Sequence, residues 1–355
     1  MKSKIIIIAI LAIVTFFGEN SAFAQTSALA RFTIDKATYE GLSESQKTAL
    51  TQKIQELSAF VEKEIKGKLP ANILQKISDL KIKISFTDTP GRDGLFVPGD
   101  VGEEHTVSIQ LIQAQSNGIK ALIAHEVYHA IHFHINPDEL PWVREGMAQV
   151  FEYIHTNKLN GLNMAAAISN PMTPLLGEYN PETSERAQYG HNMLYFYYLY
   201  NQCGGEKLFW KITEGAPELN LKGSYLMDTV LKEIDFPNEE CSDFAKSAIL
   251  FEVAKMHNKP QILNSKEKTK FFVIDSDLTT VFPQVKTEKD LERIIKGMPV
   301  LSSYKIPMEN FITLKGKCSN CEIYYSNKAI PYNVSSKAPE KSKGIDVILV
   351  KLRRN

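Results

Sequence analysis

The chain carries no excess of charge of either sign. Its 41 lysines and arginines are matched by 41 aspartates and glutamates over 355 residues. Nucleic-acid binders draw affinity from clustered basic charge, so this balance argues against that class of partner. Long apolar runs are also scarce. The run from Ile5 to Phe17 is too short for a standard transmembrane helix. No later stretch is long and apolar enough to span a membrane. Cysteine is sparse, with Cys203, Cys241, Cys318 and Cys321 as the full set. None follows the apolar run closely, so lipoprotein processing is not suggested. No second Cys/His pair stands near Cys318 and Cys321, as a zinc ribbon would need. No strong glycan- or cell-wall-binding motif is visible. What remains is a globular composition, 43% hydrophobic and 23% charged.

The first residues read as an address. Lys2 and Lys4 precede the apolar run, which ends in Ala22-Phe23-Ala24 before Gln25. A positive start, a short apolar core and an A-x-A end describe a secretory signal peptide over residues 1–24. The expectation is an exported protein, periplasmic or extracellular, with no membrane span after signal removal. The remaining length suggests about two domains. Four cysteines in an exported chain favour disulfides.

The most informative stretch is His125-Glu126-Val127-Tyr128-His129. It spells H-E-x-x-H in a segment that reads as helix. Positions 125 and 129 then lie one turn apart on one face, where two imidazoles can hold one Zn²⁺. Glu126 sits beside them, placed to take a proton from a water. Chance matches arise on the order of once in a hundred chains of this size, so context must decide. The alternative is a core helix whose two histidines are satisfied by hydrogen bonds. Ile119, Leu122, Ile123, Val127, Ala130 and Ile131 make the helix apolar over most of its circumference, hence buried. His125, His129 and His132 form its polar stripe.

A catalytic zinc site takes three protein ligands and leaves one position open. Pro137 and Pro141 break the chain after the first helix, so it can turn and run back. Glu145, sixteen positions after His129, is the candidate third ligand, with a solvated charge near a helix start as the alternative. Gly146 beside it would let the two helices approach closely. His132 suits a rim or supporting role better than ligation, because a fourth protein ligand would close the site.

The motif followed by Trp142-Val143-Arg144-Glu145-Gly146-Met147-Ala148 resembles the gluzincin metallopeptidases, and within them the peptidase MA-like family. The resemblance covers about residues 35–235. It implies a zincin-like catalytic domain in which a glutamate on a second helix is the third zinc ligand. A tyrosine-bearing helix and a Y-L…G stretch should follow, matched here by Gln188-Tyr189-Gly190-His191, Tyr198-Leu199 and Gly204-Gly205. The metzincin pattern does not fit, since it would need glycine and histidine where His132 and Ile135 stand.

By this resemblance Tyr189 is the candidate oxyanion donor, with a structural core tyrosine as its alternative. His191 would point elsewhere on the helix. Gln149 stands where related enzymes often carry an acidic group that orients a ligating histidine. A glutamine accepts that hydrogen bond more weakly. The resemblance also implies that the last strand before the metal helix lies along the cleft, its exposed edge open to an extended substrate.

The expected fold class is α+β. A zincin-like metallopeptidase domain, a small sheet plus helices, spans 25–258. A linker follows at 259–268, then a small all-β accessory domain of sandwich type at 269–355. Leu50, Ile54, Leu57, Phe60, Val61 and Ile65 form one stripe of a helix over 43–66. Residues 81–86 and 106–111 alternate as half-buried strands, with a Pro/Gly loop from Thr87 to Asp93. Residues 182–258 read as several helices. Strand-like runs follow at 270–274, 300–306, 311–314, 322–325 and 345–351. Bridges are expected between Cys203 and Cys241, and between Cys318 and Cys321 within a hairpin.

The expected activity is peptide-bond hydrolysis with one Zn²⁺ per chain, held by His125, His129 and Glu145, and Glu126 as general base. The partner is a peptide or protein substrate. The competing reading is a zinc-binding zincin-like protein with a binding or scaffolding role. Specificity, oligomeric state and endo- or exopeptidase action are left open.

Overall fold

The computed structural model describes residues 25–26, 29–88, 93–100, 102–170, 185–234, 241–257, 287–297, 303–307, 321–327, 334–335 and 345–351, with single residues 173, 175, 339 and 343. The chain divides into two units, residues 1–131 and 132–355, and the division falls inside one helix.

The first unit is built on a five-stranded mixed sheet. Its strands are β1 (Gln25–Thr26), β2 (Ala30–Ile34), β3 (Ile82–Thr87), β4 (Gly94–Val97) and β5 (His105–Gln110), in the order β1-β2-β3-β5-β4. The central three are parallel, and β1 and β4 flank them antiparallel. Its helices are α1 (Lys36–Glu40), α2 (Glu44–Phe60), α3 (Ala71–Lys76) and the first part of α4 (Ile119–Ile135). Strand alternation sets the buried face. Ile82, Ile84, Phe86, Val107 and Ile109 lie in the core, while Lys83, Ser85, Thr106 and Ser108 are half-buried on the other side.

Helix α2 starts at a capping box, Ser43 with Gln46, which satisfies two backbone donors at once. All six residues of its expected stripe are buried, and the last two ride on a π-helical turn, Val61–Ile65. Burial of that stripe supplies most of what holds a helix of this kind in place.

Contrary to expectation, the strand that precedes α4 offers no exposed edge. The last strand before the metal helix, β5, is interior, with β3 on one side and β4 on the other. The edge belongs to β4. That strand has four residues and follows directly on the Pro/Gly loop, so its alternation is too short to read. Its outward residues Leu95 and Val97 remain exposed.

The second unit continues α4 and adds α5 (Pro141–Thr156), α6 (Gly161–Ser169), α7 (Glu185–Gln202), α8 (Gly205–Glu214), α9 (Gly223–Glu233), α10 (Phe244–His257) and α11 (Glu288–Gly297). An antiparallel sheet follows, β6 (Ser303–Pro307), β7 (Cys321–Asn327), β8 (Val334–Ser335) and β9 (Ile345–Lys351), ordered β6-β9-β7-β8. Val347, Ile348 and Leu349 of β9 are fully buried, and α10 packs beside β6 and β9. The class is therefore α+β.

Three of the five runs read as strands in 269–355 correspond to β6, β7 and β9. The runs at 270–274 and 311–314, and the 259–268 linker, lie outside the described residues. Helix α11 stands within the stretch expected to be all β. It opens on a reciprocal Thr287–Asp290 cap, and Leu291, Ile294 and Ile295 recur at helical spacing.

Cys203, just past α7, is bonded to Cys241, just before α10, with Cα atoms 5.5 Å apart. Cys321 is also disulfide-bonded. Cys318 lies outside the described residues. Among the described residues no helix is long and apolar enough to cross a membrane.

Candidate metal centre

The H-E-x-x-H pentad lies mid-helix in α4. Ile123, Ala124, Val127, Tyr128, Ala130 and Ile131 are all buried, so most of the helix surface is core. His125 and His129 are half-buried on the remaining stripe. Their Nε2 atoms face each other at 3.0 Å, with rings 4.6 Å apart and near perpendicular. Two nitrogens bound to one tetrahedral Zn²⁺ at ordinary bond lengths stand roughly 3.3 Å apart. The helix therefore presents both imidazoles almost as one ion needs them. His132 is fully buried one turn on. It is not part of the ligand group, and its burial removes it from any rim.

Glu145 supplies the third group. One ligand atom from each of His125, His129 and Glu145 falls within 4.8 Å of the others, and all three residues are half-buried. Among the described residues this is the one such group of three or more His, Cys, Asp or Glu side chains. Two imidazole nitrogens and one carboxylate oxygen are a donor set that zinc and other divalent ions accept. The donors fit a single divalent ion.

The position of Glu145 follows from the packing of α5. Pro141 occupies the first helical turn, where its missing N–H costs nothing. Trp142 stacks on Phe196 of α7, with ring centroids 5.5 Å apart. One turn later Gly146 meets the same ring, and a Cβ there would stand 2.3 Å from Phe196 Cδ2 and 3.0 Å from the Asn192 carbonyl. The close approach at Gly146 is thus with α7, not with the metal helix α4 as expected. The W-x-x-E-G spacing sets Trp142 and Gly146 one turn apart, so both meet Phe196. Upstream, buried Glu139 accepts from the Leu140 and Gly223 N–H groups at 2.7 Å each and from Asn136 at 3.5 Å. It ties the start of α5 to the start of α9. Burial pushes its carboxyl above the ordinary range, and these hydrogen bonds oppose that shift.

Gln149 does not do what the resemblance implied. Its amide nitrogen donates to the carbonyls of Glu145 (3.3 Å) and Tyr189 (3.1 Å), and its oxygen accepts from Asn163 (2.8 Å). With both ends of the amide so committed, it knits α5, α6 and α7 instead of orienting a histidine. Tyr189 is half-buried on α7, its backbone held through that amide. His191 points elsewhere, as expected. It is fully buried, with Nε2 2.9 Å from Lys255 Nζ and Nδ1 3.2 Å from the Ala187 carbonyl. The ammonium can only donate, so Nε2 accepts and Nδ1 carries the proton. Burial pulls the Lys255 ammonium below its usual pKa, and its pairing with Glu252 opposes that.

Glu126 is 5% exposed, on the same helix as the imidazoles. Strand β4 runs alongside this part of α4. Phe96 lies 6.2 Å, ring to ring, from His129 and 5.6 Å from His105. His105 Nδ1 accepts from the Gly99 N–H at 2.9 Å, which fixes the turn between β4 and β5. Phe96, Phe196 and Asn163 were not singled out by sequence reasoning. Each works through a tertiary contact that no local pattern announces.

No model of a known protein family matches the chain, and no curated protein is similar to it.

Proposed function

We propose that this protein is an exported zinc metallopeptidase of the gluzincin type, with a zincin-like catalytic part and a β-rich accessory module toward the C-terminus. The observation that carries the reading is the gathering of His125, His129 and Glu145 around one point, with Glu126 beside them on a buried helix. His125, His129 and Glu145 would hold the ion. Zinc, when bound, acidifies a water and polarises a carbonyl. Glu126 accepts the proton of the attacking water and returns it to the leaving amine. Its near-complete burial keeps bulk water from competing for that proton. Tyr189 is the proposed donor to the developing oxyanion. An extended peptide would add to the edge of β4, antiparallel or parallel, through main-chain hydrogen bonds. Residues 1–24 would direct export.

The test couples metal content to turnover. The wild-type protein should bind one zinc per chain and cleave an unfolded protein substrate, and Glu126→Gln should keep the zinc and lose the cleavage. Bound zinc with no hydrolysis of any peptide pool would leave a binding or scaffolding protein instead. Absence of zinc after loading would remove both readings.

A further inference from the structure

Gly94, the first residue of β4, has no conformational reason to be glycine. Its φ lies outside the left-handed region, and it pairs in an ordinary antiparallel register with Ile109. Glycine weakens a strand, and within one it often marks a close approach. The approach here is to the proposed base. A Cβ at position 94 would stand 2.6 Å from Glu126 Oε1, 3.1 Å from its carboxyl carbon and 2.8 Å from Leu122 Cδ1. No backbone atom is among those neighbours. All are the far ends of flexible side chains, which can swing away at little cost. A methyl at 94 therefore leaves the fold standing and moves the carboxylate.

We infer that Gly94 is a positioning residue for Glu126: the bare backbone at the head of β4 forms the wall against which the carboxylate is seated. The inference rests on the peptidase reading for its effect on turnover, but not for the contact itself. Phe96, two residues along the same strand face, lies against His129, so β4 backs both the base and a metal ligand. Glycine at 94 admits Glu126 close to the strand, and any larger residue displaces it.

The experiment uses the zinc-loaded protein without its leader. Gly94→Ala should keep its fold by circular dichroism and its one zinc per chain. Its kcat on an unfolded protein substrate should fall about 10²-fold, the usual cost of misplacing a reacting group by about an ångström, with KM changed less than about two-fold. In a Glu126→Asp background the shorter side chain withdraws from position 94. There Gly94→Ala should change kcat by less than about two-fold, because the contact has already gone.

A thermal double-mutant cycle reads the same contact without any activity. Gly94→Ala should lower the melting temperature beside Glu126, and should leave it unchanged or raise it beside Glu126→Ala. Wild-type turnover retained by Gly94→Ala, or additive melting shifts in the cycle, would overturn the inference. If the wild type hydrolyses nothing, the peptidase reading fails, and the thermal cycle still decides whether Gly94 seats Glu126.

Discussion

At the scale of single residues, position and chemistry separate cleanly at Glu126. The residue lies next to His125 in the chain, yet it is not among the three grouped ligands. On the peptidase reading, Glu126→Gln keeps the shape and removes the proton acceptor. Turnover should drop by about 10²- to 10⁴-fold, with zinc content by elemental analysis unchanged. Glu145→Ala should instead lose the ion as well, leaving less than one zinc per chain under the same dialysis. His125, His129 and Glu126 were legible in the sequence because one helical turn sets their geometry. Glu145 was legible only through its W-x-x-E-G context. The reason for that context, Phe196 against Trp142 and Gly146, is a tertiary contact between α5 and α7 and leaves no local trace. Gln149 shows the limit of reasoning by likeness, since its amide is spent on three helices.

The buried pair Lys255–Glu252 was likewise invisible in sequence. Lys255 is 4% exposed and Glu252 is fully buried. Removing one partner strands a charge, so Glu252→Ala should cost about 3–5 kcal/mol in urea unfolding. Replacing both, by Lys255→Met with Glu252→Leu, should cost far less. Equal losses in the two variants would show that the pair acts through packing rather than charge.

At the scale of elements, the metal helix is clamped near its start. Glu56 of α2 meets Lys120 of α4 and Lys53 of its own helix, each at 2.8 Å. These lysines hold its carboxyl down at about 2, with the Lys120 hydrogen bond the largest cause. A depressed carboxyl pKa stabilises the fold above the unfolded value, and that gain disappears as pH falls toward the folded one. The window therefore runs from about 4.5 down to about 2. Glu56 is nearly half-exposed, so solvent screening limits the effect to roughly 0.2–1 kcal/mol. Glu56→Gln should melt slightly below the wild type at pH 7. The gap should narrow at pH 3, and it should shrink in 1 M NaCl at any pH. A gap that widens on acidification would assign the clamp to another group.

Elements with long repeats were the readable ones. The stripe of α2 and the alternation of β3 and β5 each run long enough to announce their period. Strand β4 was missed because four residues after a Pro/Gly loop carry too little period, and with it went the true edge of the sheet. Helix α11 was missed because it sits among strand-like runs and its apolar spacing, Leu291 to Ile295, spans little more than one turn.

At the scale of the whole molecule, the bridge and the proposed metal would act by different routes. Cys203–Cys241 closes a loop of 38 residues, and a loop of that length restricts the unfolded chain by about 3–4 kcal/mol. Reduction should lower stability by that order whether or not metal is present. A metal held by His125, His129 and Glu145 would act by mass action on the folded state, where these residues converge. With free zinc at a hundred times its dissociation constant the gain is about 2.7 kcal/mol. The melting temperature of the wild type should rise with zinc concentration and fall back on chelation, in both oxidised and reduced protein. Glu145→Ala should lose most of that dependence and keep its sensitivity to reductant. If zinc stabilised Glu145→Ala as much as the wild type, the ion would be binding elsewhere. The grouping of three side chains from α4 and α5 would then owe its geometry to packing alone.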